Sequence, residues 1–536
     1  MAILPRLFLR RHSRPALVGL VLLVGLLLRL PAFSRPLLSS DEAVYATTGE
    51  AMRHGAVLYR DIVDHKPPAI YDVYFLSAEV LGPFDTQLAH ALVILAVLLT
   101  GFALSRAALR MGADPRAGWM AALLWVVFST AMPDFDALAA NGELFLLAAQ
   151  AVAFAWVLSR LGRRRVLGWE TLFGAGVLTG VAVAFKFQGA TFLAVPGTAL
   201  VIEAWWRRRT VAGALGGLAV TLAGTAVVPA LYLLRASVDG SLGSMWFWFD
   251  YNAKYLNAGP HGWEVWRLGL LRTALLGTAA FLPYAFGLTA TWRWMVEWWR
   301  RGLARTVQPG AELVARTLAE AWLAGSVIAL CAGGRFFGHY FHLVLPALSL
   351  LAAGPLLAFW DRFARPRVVR VAVVLLFAGP ALGALAVTTV LRPEVMGRLD
   401  PKPPYEQVAA RLHEISGRND TIFVWGHSTE VYVLARRRDG TRFMFCDYLT
   451  GTSPGTDSQT GLADPKSNVV GPAWRMLFDD LARRKPRFLV DASTAGWDHY
   501  GAFPMTRYPR LEAYVKAHYR ERERVAGVTI YERSVP

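Results

Sequence analysis

The feature that most limits what this chain can fold into is a succession of apolar runs, each near the length that crosses a bilayer. An α-helix rises 1.5 Å per residue, so about 20 apolar residues span the hydrocarbon. Eleven such segments can be read: 15–33, 87–105, 117–133, 144–159, 166–185, 189–204, 211–234, 268–291, 318–333, 341–360 and 369–391. With 55% hydrophobic and only 18% charged residues, residues 1–391 are expected to form a polytopic α-helical membrane domain of about 11 transmembrane helices. From residue 392 the chain turns polar and mixed, and 392–536 is expected to fold as a C-terminal α/β extracytoplasmic domain.

The net charge of +17 raises nucleic acid as a partner, but the charge follows topology instead. With the N-terminus cytoplasmic, the inner loops hold 23 Lys or Arg in 72 residues and the outer loops hold 9 in 106. That is the positive-inside bias of a membrane protein. The expected partner is therefore the lipid bilayer, with no nucleic acid. The expected location is the inner (cytoplasmic) membrane, with the C-terminal domain periplasmic or extracellular. Residues 1–33 resemble a signal peptide, but the run is long and Arg29 interrupts its end, so a retained first helix is expected. Cys331 and Cys446 are not expected to pair.

The polar chemistry concentrates in outer loops, above all 34–86. It opens with Ser40-Asp41-Glu42-Ala43-Val44-Tyr45 and gathers Glu50, Asp61, Asp64, His65 and Lys66 before Pro67-Pro68. Asp41 and Glu42 fit the first turn of a short helix, 41–53, where carboxylates suit the helix dipole. They equally fit a catalytic pair. Glu143 enters a span just after Asn141-Gly142; it is either a capped first-turn residue or an acidic group facing the same cavity as Asp41. Lys186 can snorkel to lipid phosphates or contact substrate. The aromatics of 235–267, Tyr251 among them, suit either an interfacial girdle or a sugar ring. Arg335 and His339, beside Tyr340, can anchor the loop or grip an anionic head group.

In the tail, helices are expected at Tyr405–Ile415, Ser428–Arg436, Pro472–Arg484 and Tyr508–Glu521. Strands are expected at Thr421–Trp425, Arg442–Phe445, Arg487–Val490 and Val528–Tyr531, with a loop over Thr450–Asn468. No phosphate-binding glycine fingerprint and no Cys/His metal cluster occurs in the sequence.

These features resemble the GT-C superfamily of membrane glycosyltransferases, and within it the branch of protein O-mannosyltransferases and lipid A aminoarabinose transferases (glycosyltransferase family 39-like). The resemblance rests on Asp41-Glu42 with Tyr45, on Lys66-Pro67, on Glu143 before the fourth span, on Arg335, Tyr340 and Pro346, and on an outer C-terminal domain. It is specific over residues 36–75. The His339-Tyr340-Phe341 variant and two fewer spans depart from the aminoarabinose branch, so the acceptor does not carry over.

The resemblance implies an inverting transfer of a sugar from a polyprenyl-phosphate donor to a hydroxyl of a glycan, lipid or protein acceptor in the cell envelope. Asp41 would be the general base, with Glu42 and Glu143 as further catalytic carboxylates. Lys66, Arg335, His339 and Tyr340 would bind the donor phosphate, and Tyr45, His65, Lys186 and Tyr251 the substrates. The resemblance assigns no cofactor. A divalent metal enters only in the alternative of an oligosaccharyltransferase-like enzyme, with Asp41, Asp134, Asp136 and Glu143 as ligands. A transporter or flippase of polyprenyl-linked sugars, and a scaffold built on the outer domain, are the readings from other classes.

Overall fold

The computed structural model describes the chain except residues 1–13, 112–113, 132–136, 162–165, 207, 258, 261, 302–309, 387–402, 453–467 and 535–536. Among the described residues, seven helices are long and apolar enough to cross a membrane, or eight if one bent pair counts as a single span. Two shorter apolar helices, Pro115–Phe128 and Trp169–Phe185, join them. Each expected apolar segment overlaps a helix. The segment 268–291, expected as one span, is instead two helices, Trp263–Ala279 and Phe281–Arg301, bent by 109°. Pro283 explains part of the break: it cannot donate to the carbonyl one turn back, so it is tolerated only in the first turn of a new helix.

The first helix, Arg14–Arg29, packs on Gln87–Arg110 and Pro115–Phe128. Its Arg29 is buried, and donates to the Ser129 hydroxyl at 3.3 Å. Helices Trp169–Phe185 and Val211–Val238 cross at small residues. A Cβ on Gly176 would meet Thr221 O at 2.2 Å, and one on Gly224 would meet Phe173 O at 2.2 Å. Close backbone approach at small residues is the usual packing device inside a bilayer.

The loop 34–86 is ordered. Ser39 caps helix Ser40–Arg53 by accepting from Glu42 N at 3.3 Å. Helix Ala69–Leu81 lies across it, and Gly49 permits the contact: a Cβ there would meet Phe75 N at 2.6 Å. Groups expected on one side of the membrane meet each other. Arg235 pairs with Asp72 and Lys186 with Glu143 at one end, and Arg116 with Asp361 at the other.

Among the described residues the tail holds a five-stranded mixed sheet in the order β2-β1-β3-β5-β4. The strands are β1 Thr421–Trp425, β2 Arg438–Asp439, β3 Phe488–Asp491, β4 Tyr519–Val525 and β5 Val528–Arg533. β2, β1 and β3 are parallel, and β5 and β4 are antiparallel additions. Helices Tyr405–Ile415, Glu430–Ala435, Ala473–Arg484 and Pro509–His518 match the expected ones, except that the last is shorter. Two expectations fail. Residues 519–521 continue into β4, which is joined to β5 through Ala526 and Gly527, both left-handed at φ 50° and 83°. That is the geometry of a two-residue hairpin turn. Arg442–Phe445 is not a strand. The Arg442 N–H goes to Asp480 at 2.9 Å and its carbonyl accepts from Val63 N at 3.1 Å, so its backbone serves the 34–86 loop instead of the sheet. Most of the expected loop Thr450–Asn468 lies outside the described residues.

Candidate active site

Asp41 sits in the first turn of helix Ser40–Arg53 with its side chain 27% exposed. Its Oδ1 is 3.0 Å from Lys66 Nζ. The Pro67-Pro68 pair ends the extended loop that carries Lys66, and Pro68 starts the next helix, so the lysine is delivered by a stiff segment. Lys66 also lies 3.5 Å from Asp64 Oδ2 and 5.0 Å above the Tyr45 ring. Asp64 is fully buried; it accepts from Tyr71 OH at 2.6 Å and from His65 N at 2.6 Å.

Burial opposes the charge on Asp41, but Lys66, Lys186 and His339 outweigh it and hold the carboxyl well below the usual range. Burial likewise opposes the charge on Lys66, and Asp41 and Asp64 overcome it, holding the ammonium above its ordinary value. The two groups stabilise each other's charged forms.

Glu42, the next residue, has a different environment. It is fully buried, and its oxygens receive Leu38 N at 2.7 Å, Ala140 N at 2.7 Å, Tyr74 OH at 3.3 Å and His90 Nε2 at 2.8 Å. Oε2 is committed to Leu38 within the loop, and Oε1 joins the loop to Ala140 and His90. Adjacent residues on a helix point about 100° apart, which is why the two neighbours diverge.

Glu143 opens helix Gly142–Arg160, fully buried, ion-paired to Lys186 and 3.8 Å from His339 Nε2. Lys186 does not snorkel. It is buried, paired, and 5.0 Å above the Tyr340 ring. The turn Gly338–Leu343 supplies His339 and Tyr340. Arg335 precedes it, buried, stacked 3.9 Å over the Tyr255 ring and donating to Tyr255 O at 2.7 Å. Tyr255 lies in the field of Arg335, Lys66, Asp41 and Asp64 together. Tyr251 is buried between His65 and Tyr448, with ring centroids 5.4 and 4.8 Å away.

The site residues expected from the sequence thus gather at one end of the helix bundle, with Glu42 turned into the protein. Sequence reasoning did not put Asp64, Tyr255 or Tyr448 in the site. Asp64 carried a signal, two residues before Lys66 in the same loop. Tyr448 carried none. It comes from the C-terminal domain, is buried, and its hydroxyl lies 3.1 Å from His65 Nδ1 and 3.3 Å from Asp64 Oδ1. Arg484 reinforces that junction by donating to Asp61 O at 2.7 Å. Among the described residues no three of His, Cys, Asp and Glu converge as metal ligands; Asp134 and Asp136 lie outside those residues.

No family model and no curated protein matches the sequence. Solved structures do match. ArnT from Cupriavidus metallidurans bound to undecaprenyl phosphate superposes with a TM-score of 0.56 at 18% identity, over 96% of this chain and 97% of that one. Its apo state gives 0.55 at 17% identity, over the same shares of the two chains. The apo oligosaccharyltransferase of Archaeoglobus fulgidus gives 0.52 at 13% identity, over 98% of this chain and 75% of that one. At such identities the likeness speaks for architecture, from the first helix to the last strand. The chain has the fold of these ArnT and oligosaccharyltransferase structures.

Proposed function

We propose that this protein is an inverting glycosyltransferase that moves a sugar from a polyprenyl-phosphate donor to an acceptor hydroxyl at the outer face of the membrane. The observation that carries the reading is the partly exposed Asp41 carboxylate, ion-paired to Lys66 at one end of an apolar helix bundle. In the proposed reaction Asp41 takes the acceptor hydroxyl proton as its oxygen bonds to the anomeric carbon. The bond from that carbon to the phosphate oxygen breaks, and its electron pair leaves with the polyprenyl phosphate. Phosphate is a good leaving group, with a second pKa near 6, so no general acid is required. Lys66 and Arg335 take up the negative charge that develops on it.

The pairing of Asp41 with Lys66 gives this reading a built-in order. Without donor, Lys66 keeps Asp41 acidic and a poor base. A donor phosphate competes for the same ammonium and so raises the basicity of Asp41 when the sugar is in place. Glu143, Lys186 and His339 form a second charged cluster, with Tyr340 beneath Lys186. The ArnT structure bound to undecaprenyl phosphate gives a precedent for such a lipid on this fold. In this reading the 1–391 region is catalytic, the N-terminus is cytoplasmic, and the 392–536 domain is periplasmic or extracellular.

The deciding experiment is lipid extraction from cells lacking the protein. The expected result is accumulation of one polyprenyl-phosphate sugar and an envelope glycan, lipid or protein short of that sugar. An unchanged lipid pool together with unchanged glycans rejects the reading. Transfer that stops in excess EDTA points to the metal-dependent oligosaccharyltransferase-like alternative.

A further inference from the structure

Helix Gly142–Arg160 starts with an anomaly. Asn141 holds the N-cap position with extended backbone, φ −81° and ψ 152°. An asparagine there ordinarily accepts a hydrogen bond from the first turn, worth about 1 kcal/mol. This one makes no capping bond. It is 1% exposed, and neither its Oδ1 nor its Nδ2 has a partner among the described residues. Two positions on, Glu143 is held by Lys186 through Oε1, while Oε2 has no partner. The Tyr45 hydroxyl, equally buried, has none either. Buried polar atoms without partners are rare, and each calls for an explanation.

Each of the three is tied to Asp41 by chain position or through a shared partner. Tyr45 stands one helical turn after Asp41, in the field of Asp41, Glu143 and Asp64. Asn141 follows Ala140, whose N–H is bonded to Glu42 beside Asp41. Glu143 is linked to Asp41 through Lys186, which acts electrostatically on both. The unpartnered atoms are an amide oxygen, an amide NH₂, a carboxylate oxygen and a phenol. That mixture of donors and acceptors matches hydroxyl groups, which both give and accept. It suits a phosphate poorly, because the carboxylate would repel it.

We infer that Asn141, Glu143 and Tyr45 recognise the hydroxyls of the transferred sugar, and that this sugar is neutral and not an amino sugar. The inference rests on the polyprenyl-phosphate donor reading above. Neutrality follows from the charge already present. Glu143 is already ion-paired to Lys186 and Asp41 to Lys66, so an ammonium on the sugar would add a positive charge to a site whose carboxylates each have a cation.

The test measures binding to the purified full-length chain in nanodiscs, without acceptor, so that only the donor's own sugar is read. The probes are bare undecaprenyl phosphate, undecaprenyl-phosphate glucose, galactose and mannose, and an undecaprenyl-phosphate amino sugar. The wild type is expected to bind at least one neutral hexose donor more tightly than the bare lipid. Asn141→Ser keeps a good helix cap, so thermal stability should hold, but it shortens the side chain and removes the amide. It is expected to cut the sugar-dependent gain roughly tenfold, the scale of two lost hydrogen bonds, and to leave binding of the bare lipid unchanged. Asn141→Ala is the second variant, and should behave alike. If either variant keeps the full gain, or loses bare-lipid binding equally, the inference fails. If no neutral hexose binds better than the bare lipid, or the amino sugar gives the largest gain, it fails while the donor reading stands. If neither bare nor sugar-bearing lipid binds, the donor reading itself falls.

Discussion

Both ends of the helix bundle carry clusters of basic and acidic side chains, and the two differ in how water reaches them. At the end opposite Asp41, Arg116 pairs with Asp114 at 2.6 Å and Asp361 at 2.7 Å, with side-chain exposures of 27%, 42% and 50%. These residues line an open cavity of about 360 Å³ with Arg293, Arg316 and Glu312. At the Asp41 end, Asp64 and Glu143 are fully buried and Lys186 is 8% exposed. Water-screened pairs contribute about 0–1 kcal/mol and can be exchanged freely. Buried ones are costly to desolvate, and removing one partner strands the other. The lesson is that the number of charges does not mark a site. What separates the two ends is the burial of their charged pairs.

This contrast can be broken most directly at Asp41. Asp41→Asn keeps the size of the side chain and leaves the Ser39 cap in place, so a role confined to the helix start would leave sugar transfer nearly intact. The catalytic role gives a loss of roughly 10²–10⁴-fold in transfer rate with normal expression. Glu42→Gln is its comparison. It should lower thermal stability by roughly 1–3 kcal/mol through weakened buried bonds, with transfer per folded molecule largely kept. Equal catalytic losses in the two variants would erase the distinction between these neighbours.

The phosphate grip comes next in size. Lys66→Ala and Arg335→Ala should each reduce kcat/KM for the donor at least tenfold, since charge-assisted hydrogen bonds are worth roughly 1.5–3 kcal/mol. Near-wild-type values in both would put the phosphate elsewhere.

A smaller effect belongs to the C-terminal domain. Burial disfavours a charged His427, but Asp447, 2.9 Å away, overcomes this and raises its pKa to about 9. A histidine whose folded pKa is raised contributes stability that is complete below its unfolded value, about 6.5, and disappears as pH rises through about 9. The Tm of the full chain in detergent should therefore fall between pH 7 and 9.5, reflecting a loss of stability on the order of 1–3 kcal/mol. His427→Gln should flatten that slope. Asp447 adjoins Tyr448, so a loss at high pH would also loosen the hydroxyl that meets Asp64.

The smallest change is expected at the other end of the bundle. Arg116→Ala should alter transfer less than twofold, because its partners are half in water. A large loss there would mean that the exposed cluster is coupled to the site through the bundle, and the comparison drawn above would be wrong.

Much of the site was legible because its signals are local. Asp41, Tyr45, His65 and Lys66 lie in one polar stretch between apolar runs, and the structure keeps them together. Arg335, His339 and Tyr340 were legible from a charged turn at the mouth of two helices. Lys186 and the Asn141-Gly142-Glu143 stretch kept two readings each for one reason: each has an ordinary local role, snorkelling or capping, and only the neighbouring helices decide whether it is used. Lys186 meets Glu143, 43 residues away, and is drawn inward. Strand β4 was hidden because its Arg-Glu alternation has no apolar face, as suits an edge strand.

The sequence by itself determined the membrane architecture, the expected sidedness and most elements of the tail. Hydropathy, charge bias and turn chemistry act over a few to about 20 residues, and they add up along the chain. Only the tertiary structure decided the 109° break at Ala280, the inward turn of Glu42, and the entry of Tyr448 into the site from 383 residues beyond His65. Those outcomes depend on which buried group finds which partner across the fold. A short-range pattern carries no record of that choice, because the energy of a buried polar contact exists only once both partners have left water.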